Sequence, residues 1–227
     1  MKIIRLLSVL LMAGAVFSSC TTSNLTRGES YSAFYEEKPV TLLVMPPINN
    51  STDVEAKELL YTSISRPLAE AGYYVISPHL AMDVFKMESA YDAELFLDQN
   101  VGAFGKVFGA DAVVFTIINK WQKVGIGIQT EISYIVKSTH TNEILFEKDC
   151  DLFLDLTIDS GNSSLIGQLA SLTATLINTA TTDHIVAARR CNYYVLQDLP
   201  RGKYNPQYML DKEEKALPKE ITASVKN

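Results

Sequence analysis

The first half of the chain alternates between apolar runs and amphipathic stretches. Residues 40–45 (VTLLVM) form a continuous apolar run, which predicts a buried strand that ends at Pro46-Pro47. Residues 73–76 are apolar again and predict a second strand. Between them, apolar residues recur at helical spacing: Leu60, Ile64, Leu68 and Ala71. The pattern predicts a strand–helix–strand unit over residues 40–76.

Capping residues give the expected limits of the helices. Thr52 and Glu55 match a capping box, Pro67 predicts a kink or an early break, and Gly72 suits the position after the helix. Ser77-Pro78 is a typical helix start. Two shorter helical segments are expected at 92–98 and 101–108.

The second half predicts a hairpin and a long helix. Residues 111–121 form the strongest strand pattern, 126–137 alternate between apolar and polar, and 143–154 pair back after a turn at 138–142. A helix is expected over 164–190, with a break near Thr181-Thr182, followed by an extended segment at 193–196. We therefore expect an α+β fold, with helices packed on a mixed sheet, as a single domain over residues 39–200 followed by a polar, frayed tail at 201–227.

Composition and charge argue against one class of function, nucleic-acid binding. The chain has 227 residues, of which 47% are hydrophobic and 20% charged, as in a globular protein. Its net charge is −6, whereas nucleic-acid binding normally leaves a basic footprint. Nucleic acid is therefore excluded as the expected partner.

The amino terminus predicts a lipid anchor. Lys2 and Arg5 precede an apolar stretch that is too short to span a bilayer and is typical of a signal peptide. It ends in Phe17-Ser18-Ser19-Cys20, which resembles a bacterial lipobox. We expect residues 1–19 to be removed, Cys20 to be lipidated, and residues 20–38 to form a polar tether. An ordinary signal peptide with a chance cysteine is the alternative.

The residues after Cys20 suggest to which membrane the lipidated protein is sorted. Thr21 and Thr22 replace the aspartate that retains lipoproteins in the inner membrane, and no acidic residue occurs before Glu29. By resemblance to lipoproteins of diderm bacteria, this favours the outer membrane and a domain that faces the periplasm. The expected membrane contact is the lipid anchor.

Two further cysteines, Cys150 and Cys191, are candidates for a disulfide, because export allows oxidation. Two buried thiols are the alternative. Neither cysteine has the spacing of a zinc ligand.

No residue pattern predicts catalysis. His79, His140 and His184 are far apart and are expected at the surface or as helix caps. The carboxylate pairs Glu36-Glu37, Asp53/Glu55 and Asp149/Asp151 could serve a glycosidase, but each has an equally good structural explanation. We expect no enzyme, no metal and no cofactor.

Four segments together resemble a known family. They are TLLVMPPINNST at 41–52, GYYVISP at 72–78, FGADAVVFTIINKW at 108–121 and LPRGKYNPQY at 199–208. In this order they resemble a family of bacterial lipoproteins of unknown function, of the neisserial surface-antigen type. Lys203 departs from the family pattern, which has proline there.

The resemblance implies a fold like that of the TolB amino-terminal domain, related to the curli-secretion lipoprotein CsgG and to activator lipoproteins of peptidoglycan synthases. It also implies other envelope proteins as partners, with dimerisation an option. The leading hypothesis is a non-catalytic accessory in transport, secretion or assembly of envelope components, recruiting its partner at a sheet edge or through 193–196. A regulator of a cell-wall synthase and a glycan or peptidoglycan hydrolase are the alternatives.

Overall fold

The structure, a computed structural model, describes residues 25–88, 92–157 and 182–226. The described strands are β1 (Thr41–Val44), β2 (Ile48–Asn49), β3 (Tyr74–Val75), β4 (Ala112–Val124), β5 (Gly127–Ser138), β6 (Ile144–Asp155) and β7 (Glu220–Lys226). They form one sheet in the order β3-β1-β4-β5-β6-β7, in which β2 also pairs with β4. β1 is parallel to β3 and β4, β5 is antiparallel to β4 and β6, and β7 is parallel to β6.

Helices cover parts of both sheet faces. The described α-helices are α1 (Arg27–Ser30), α2 (Ser32–Glu37), α3 (Ala56–Ser63), α4 (Ser65–Glu70), α5 (Pro78–Met87), α6 (Glu94–Leu97), α7 (Gly102–Phe108) and α8 (Thr182–Leu196). Core residues of α2, α3, α4 and α8 share one buried cluster with Leu42 and Val114, and those of α5 and α7 share another with Leu43 and Val113. The mixed sheet with helices on it confirms the predicted α+β fold.

The predicted strand–helix–strand unit is present. The helix breaks at Ile64, between α3 and α4, so that Pro67 lies in the first turn of α4, where a missing N–H breaks no helical hydrogen bond. The predicted capping box is wrong. The N-cap residue is Glu55, and Asp53 Oδ1, not the Thr52 side chain, accepts from the backbone N–H groups of Glu55 and Ala56 at the start of the helix.

The alternating pattern of β5 places its apolar face on the core. The side chains predicted to face the core are all buried: Ile128, Thr130, Ile132, Tyr134 and Val136. β5 pairs with β4 and β6 along nearly its whole length, as the predicted hairpin requires. The alternating pattern was sufficient to predict which side chains of β5 are buried, because one face of the strand meets the core along its whole length.

Residues 193–196 were predicted to be extended, and this is wrong. They form the last turn of α8, whose buried residues Ala188, Cys191 and Val195 follow helical spacing. Of the predicted helix at 164–190, residues up to 181 lie outside the described residues.

The predicted domain limits of 39 and 200 are too narrow. In the predicted tether, residues 27–37 form α1 and α2, and both Phe34 and Tyr35 are buried. In the predicted frayed tail, a 3₁₀ turn at Asp211–Glu213 leads to β7, which pairs with β6. Charged and polar residues are frequent in both segments, yet each also packs apolar side chains on the core: Phe34 and Tyr35 in α2, and Ile221, Ala223 and Val225 in β7.

Candidate functional site

The start of the domain is tied to its C-terminal segment. Cys20 lies outside the described residues, and the described chain begins at Leu25. Thr26 caps α1 in a reciprocal capping box with Glu29. The backbone of Leu25 accepts a hydrogen bond from Ala216, and Arg27 donates its backbone N–H to Glu214. From Leu25 onward, this part of the predicted tether therefore belongs to the fold.

Below this contact lies a buried group of polar side chains, here called the anchor cluster: Arg27, Tyr31, Lys148, Asp198 and Asp211. Arg27 Nε lies 3.4 Å from Asp198 Oδ1, and Arg27 Nη1 lies 3.3 Å from Asp211 Oδ2. Lys148 Nζ lies 2.9 Å from Asp198 Oδ2, to which the Tyr31 hydroxyl also donates. Two cations thus face two carboxylates, which compensates their burial.

Burial dominates the electrostatics of the anchor cluster. Desolvation raises the pKa of Tyr31 far above that of a free tyrosine, and the hydrogen bond to Asp198 raises it further. The Asp198 side chain is fully buried, and its Oδ1 also accepts the backbone N–H of Leu217. The cluster therefore binds α1, β6 and the chain before β7 into one unit.

Sequence analysis missed these residues. Arg27 fell in the predicted tether, Lys148 in a predicted strand and Asp211 in the predicted tail. One local signal was available: Thr26 and Glu29 have the capping-box spacing that was assigned instead to Thr52 and Glu55. It would have predicted a helix inside the tether, although not its charged partners.

A crevice of about 470 Å³ lies at the carboxyl end of β1, between α3 and α5. β1 pairs with β3 on one side and with β4 on the other, and the connecting helices lie on opposite faces, which is where ligand crevices form in open α/β sheets. The lining residues are mixed in character: Pro46, Lys57, Glu58, Tyr61, Thr62, Pro78, His79, Met82 and Lys86. The Tyr61 hydroxyl donates to the carbonyl of Pro78 at 2.9 Å and bridges the two walls.

The three histidines take different positions. His79 and His140 are exposed, as predicted, in the first turn of α5 and in the β5–β6 turn. For His184 the prediction is wrong, because this side chain is buried. Trp121 Nε1 donates to His184 Nδ1 at 2.8 Å, so the ring proton lies on Nε2, and the Asp53 carboxylate 3.3 Å from Nδ1 is a close polar contact rather than an ion pair.

The candidate carboxylate pairs have structural partners. Glu37 accepts from Ser138, and Asp53 accepts from the backbone N–H of Glu55 at the start of α3. Asp149 Oδ1 accepts from Ser133 Oγ at 2.6 Å, and Asp151 accepts from Gln129. Among the described residues, no group of three or more His, Cys, Asp or Glu is arranged to hold a metal ion.

Cys150 and Cys191 are brought together but are not bonded, as both are free, buried thiols. The Cys191 sulfur lies 3.0 Å from Thr130 Oγ1. Burial raises the pKa of Cys191, and its hydrogen bond with Cys150 raises it further. The disulfide predicted for exported protein stays a prediction, with its two members in place.

Within the described ranges, no helix is both long and apolar enough to cross a membrane. The membrane anchor at Cys20 stays a prediction, because Cys20 is not among the residues that the structure describes.

Comparison with known proteins gives related lipoproteins. The chain is 29% identical over 158 residues to putative lipoprotein NMB1124/NMB1162 of Neisseria meningitidis serogroup B, covering 67% of this chain and 72% of the relative. Lipoprotein GNA1162 from the same species is similar in structure, with 25% identity, coverage of 63% of this chain and 100% of that chain, and a TM-score of 0.47. The C-terminal domain of LpoB from Escherichia coli is similar at 15% identity. The match covers 49% of this chain and 82% of that domain, with a TM-score of 0.34.

The family comparison spans most of the described domain. The model of the putative lipoprotein GNA1162-like family matches residues 29–198, which include α2, the whole of β1–β6 and Asp198 of the anchor cluster. Because this match covers well over half of the sequence, the chain belongs to the GNA1162-like family of putative lipoproteins.

Proposed function

We propose that this protein is a lipid-anchored, periplasm-facing accessory of the outer membrane, which acts without catalysis in transport, secretion or assembly of envelope components. The observation that carries the proposal is the position of the anchor cluster. Its first member, Arg27, follows closely after Cys20, and the fold has begun by Leu25. Membership of a lipoprotein family supports the lipidation of Cys20.

The short connection limits where the domain can act. Five residue steps separate Cys20 from Leu25, so their Cα atoms are at most about 18 Å apart. A domain on such a connection stays at the membrane that holds its lipid. This favours partners in or near the same membrane and makes a cell-wall synthase in the opposite membrane harder to reach.

The anchor is tested by replacing Cys20. We expect the wild-type chain to incorporate labelled palmitate and to fractionate with outer membranes, whereas Cys20→Ala is unlabelled and leaves the membrane. Cys191→Ala is the matched control, because it removes a buried thiol and should leave labelling intact. An unchanged membrane fraction for Cys20→Ala would refute the anchor.

The role is tested by crosslinking the native protein in intact cells and identifying what it captures. Components of secretion or assembly machines in the outer membrane would support the proposal. A wall synthase would replace it with the regulator alternative, and a flexible insertion after Asn24 should then increase activity. Turnover of peptidoglycan by the purified full chain would establish the hydrolase alternative instead.

A further inference from the structure

The crevice at the carboxyl end of β1 has no part in the proposed function. Its volume of about 470 Å³ lies within the range of small-molecule sites, roughly 300–1,000 Å³. One wall is a face of α3 and the other is a face of α5, and Pro46, Pro78 and Met82 supply apolar lining. The hydrogen bond from the Tyr61 hydroxyl to the carbonyl of Pro78 joins the two walls. The crevice is therefore a fixed feature of the fold.

Two lysines bring positive charge into this crevice from its opposite walls. Lys57 is a half-buried residue of α3, and Lys86 is an exposed residue of α5. Neither side chain forms an ion pair with any residue that the structure describes. The whole chain has a net charge of −6, so a crevice in which lysines outnumber carboxylates is a local exception. It suits a ligand with negative charge.

The same crevice contains a group of hydrogen-bond acceptors, all on α3: Glu58, Tyr61 and Thr62. Tyr61 is buried, and its hydroxyl uses its single proton on the carbonyl of Pro78, so its oxygen can still accept. The Thr62 hydroxyl donates to the backbone carbonyl of Glu58 at 2.8 Å, which leaves its oxygen as an acceptor too. Burial raises the pKa of Tyr61, and the nearby Glu58 carboxylate raises it further. Three acceptors, one of them charged, suit an ammonium group, which has three donors and no acceptor.

We propose that this crevice binds a small acidic amino compound, which carries two negative charges and one ammonium group. Its anionic part contacts Lys57 and Lys86, and its ammonium group contacts Glu58 and the hydroxyl oxygens of Tyr61 and Thr62. Lysine is a point charge without the planar fork of arginine, so the anionic part is either two carboxylates or one phosphate. The site does not depend on the lipid anchor, and its test is therefore independent of the proposed function.

Isothermal titration calorimetry of the detergent-solubilised full chain tests the class of ligand. The probes are L-glutamate and O-phosphoethanolamine, and their amine-free analogues are glutarate and ethyl phosphate. We expect glutamate or phosphoethanolamine to bind about tenfold more tightly than its own analogue. The tighter of the two amines identifies the anionic group. No saturable binding of either amine up to about 10 mM, or equal binding of amine and analogue, would overturn the proposal.

Substitutions of lysine test where the ligand binds. Lys57→Ala and Lys86→Ala should each weaken binding of the amine probe about tenfold, because each removes one cation from the anionic part of the ligand. Lys106→Ala is the matched control, since Lys106 is an exposed lysine of α7 that does not line the crevice, and this variant should bind as the wild type does. An equal loss of affinity in all three variants would show non-specific attraction of charge and would overturn the site.

Glu58→Gln separates the ammonium contact from a general loss of structure. It should weaken binding of the amine probe about tenfold and should not weaken binding of the amine-free analogue, because it removes a negative charge from the lining. The lysine variants and Glu58→Gln should keep the circular dichroism of the wild type, since none of these side chains forms an ion pair within the described part of the chain. Equal weakening of amine and analogue by Glu58→Gln would refute the ammonium contact.

Discussion

Arg27 and Asp198 stand 171 positions apart in the sequence, yet Arg27 Nε lies 3.4 Å from Asp198 Oδ1 in the interior. The contact joins the first described helix to the residues that follow the last one. Lys148 binds the other oxygen of the same carboxylate, so three distant segments depend on a single buried charge.

Arg27→Met should therefore destabilise the protein strongly. It leaves Asp211 without its cation and Asp198 with only Lys148, and breaking a buried pair in this way costs about 3–5 kcal/mol. The measurement is the free energy of unfolding from urea denaturation. Arg66→Met is the control, because Arg66 pairs with Glu70 at the exposed surface, and it should leave the midpoint almost unchanged. Similar losses of unfolding free energy in both variants would show that the anchor cluster stabilises the fold no more than an exposed ion pair does.

Gly72→Ala should show that the segment after Pro200 belongs to the fold. Gly72 has φ +98°, and an added Cβ would lie 2.5 Å from the backbone nitrogen of Asn205. We expect a loss of about 3 kcal/mol or more, as strain and displacement combine. Gly109 also has a positive φ, but nothing lies within 4 Å of its Cβ position, so Gly109→Ala should cost about 1 kcal/mol. Thermal unfolding of both variants gives the comparison, and equal shifts would contradict it.

His184→Phe should cost about 1–3 kcal/mol, since it leaves the buried Trp121 indole N–H without an acceptor. Fluorescence of Trp121, the only tryptophan in the chain, reports on the same contact and should change in the folded variant. His79→Phe is the control, because His79 is exposed and should alter neither quantity. Unchanged stability of His184→Phe would mean that the indole finds another acceptor.

Alkaline pH should unfold the protein through its buried tyrosines. Burial raises the pKa of Tyr134 well above the usual value of 10.0. The folded state therefore keeps this proton after the unfolded state has lost it, so stability is present below about pH 10 and falls as pH rises beyond it. Denaturant titrations at several pH values should show a smaller decline for Tyr134→Phe than for the wild type. Tyr204→Phe, at an exposed site, should decline as the wild type does.

Oxidation should join Cys150 and Cys191. Their buried thiols are in contact, and a bond closing a loop of this length is worth about 4 kcal/mol in the chain-entropy model. Protein purified from the envelope should be lighter by two hydrogens in non-reducing mass spectrometry and should melt higher than after reduction. Two free thiols in that protein would refute the disulfide.

In the reduced protein both thiols should resist alkylation until unfolding, because they are buried and the pKa of Cys191 is raised.

Most of the strands and helices between β1 and β6 could be predicted from local pattern. β1 is a continuous apolar run because both of its faces are covered, and β5 alternates because only one of its faces is packed against helices. The break before Pro67 and the end of α7 at Gly109 follow from single residues with restricted or unusual backbone conformations. These features depend on neighbours within a few positions.

The limits of the domain and the anchor cluster could not be predicted in this way. β7 alternates between apolar and polar residues, but it has only seven residues, follows a highly charged stretch and pairs through backbone groups that every residue carries. His184 has no sequence feature that distinguishes it from His79. Its burial results from the packing of α8 on α3, β5 and β6, and Trp121 of β4 supplies a donor.

By itself, the sequence determined the α+β class and the order of the elements from β1 to β6 apart from the short β2, because hydrophobic periodicity and turn residues are local; the lipid anchor at Cys20 stays a prediction. Only the tertiary structure decided that the chain around Arg27 and the chain beyond Pro200 belong to the domain. A charged residue is stable in the interior only where opposite charges and hydrogen-bond partners surround it, and here those partners come from distant parts of the chain.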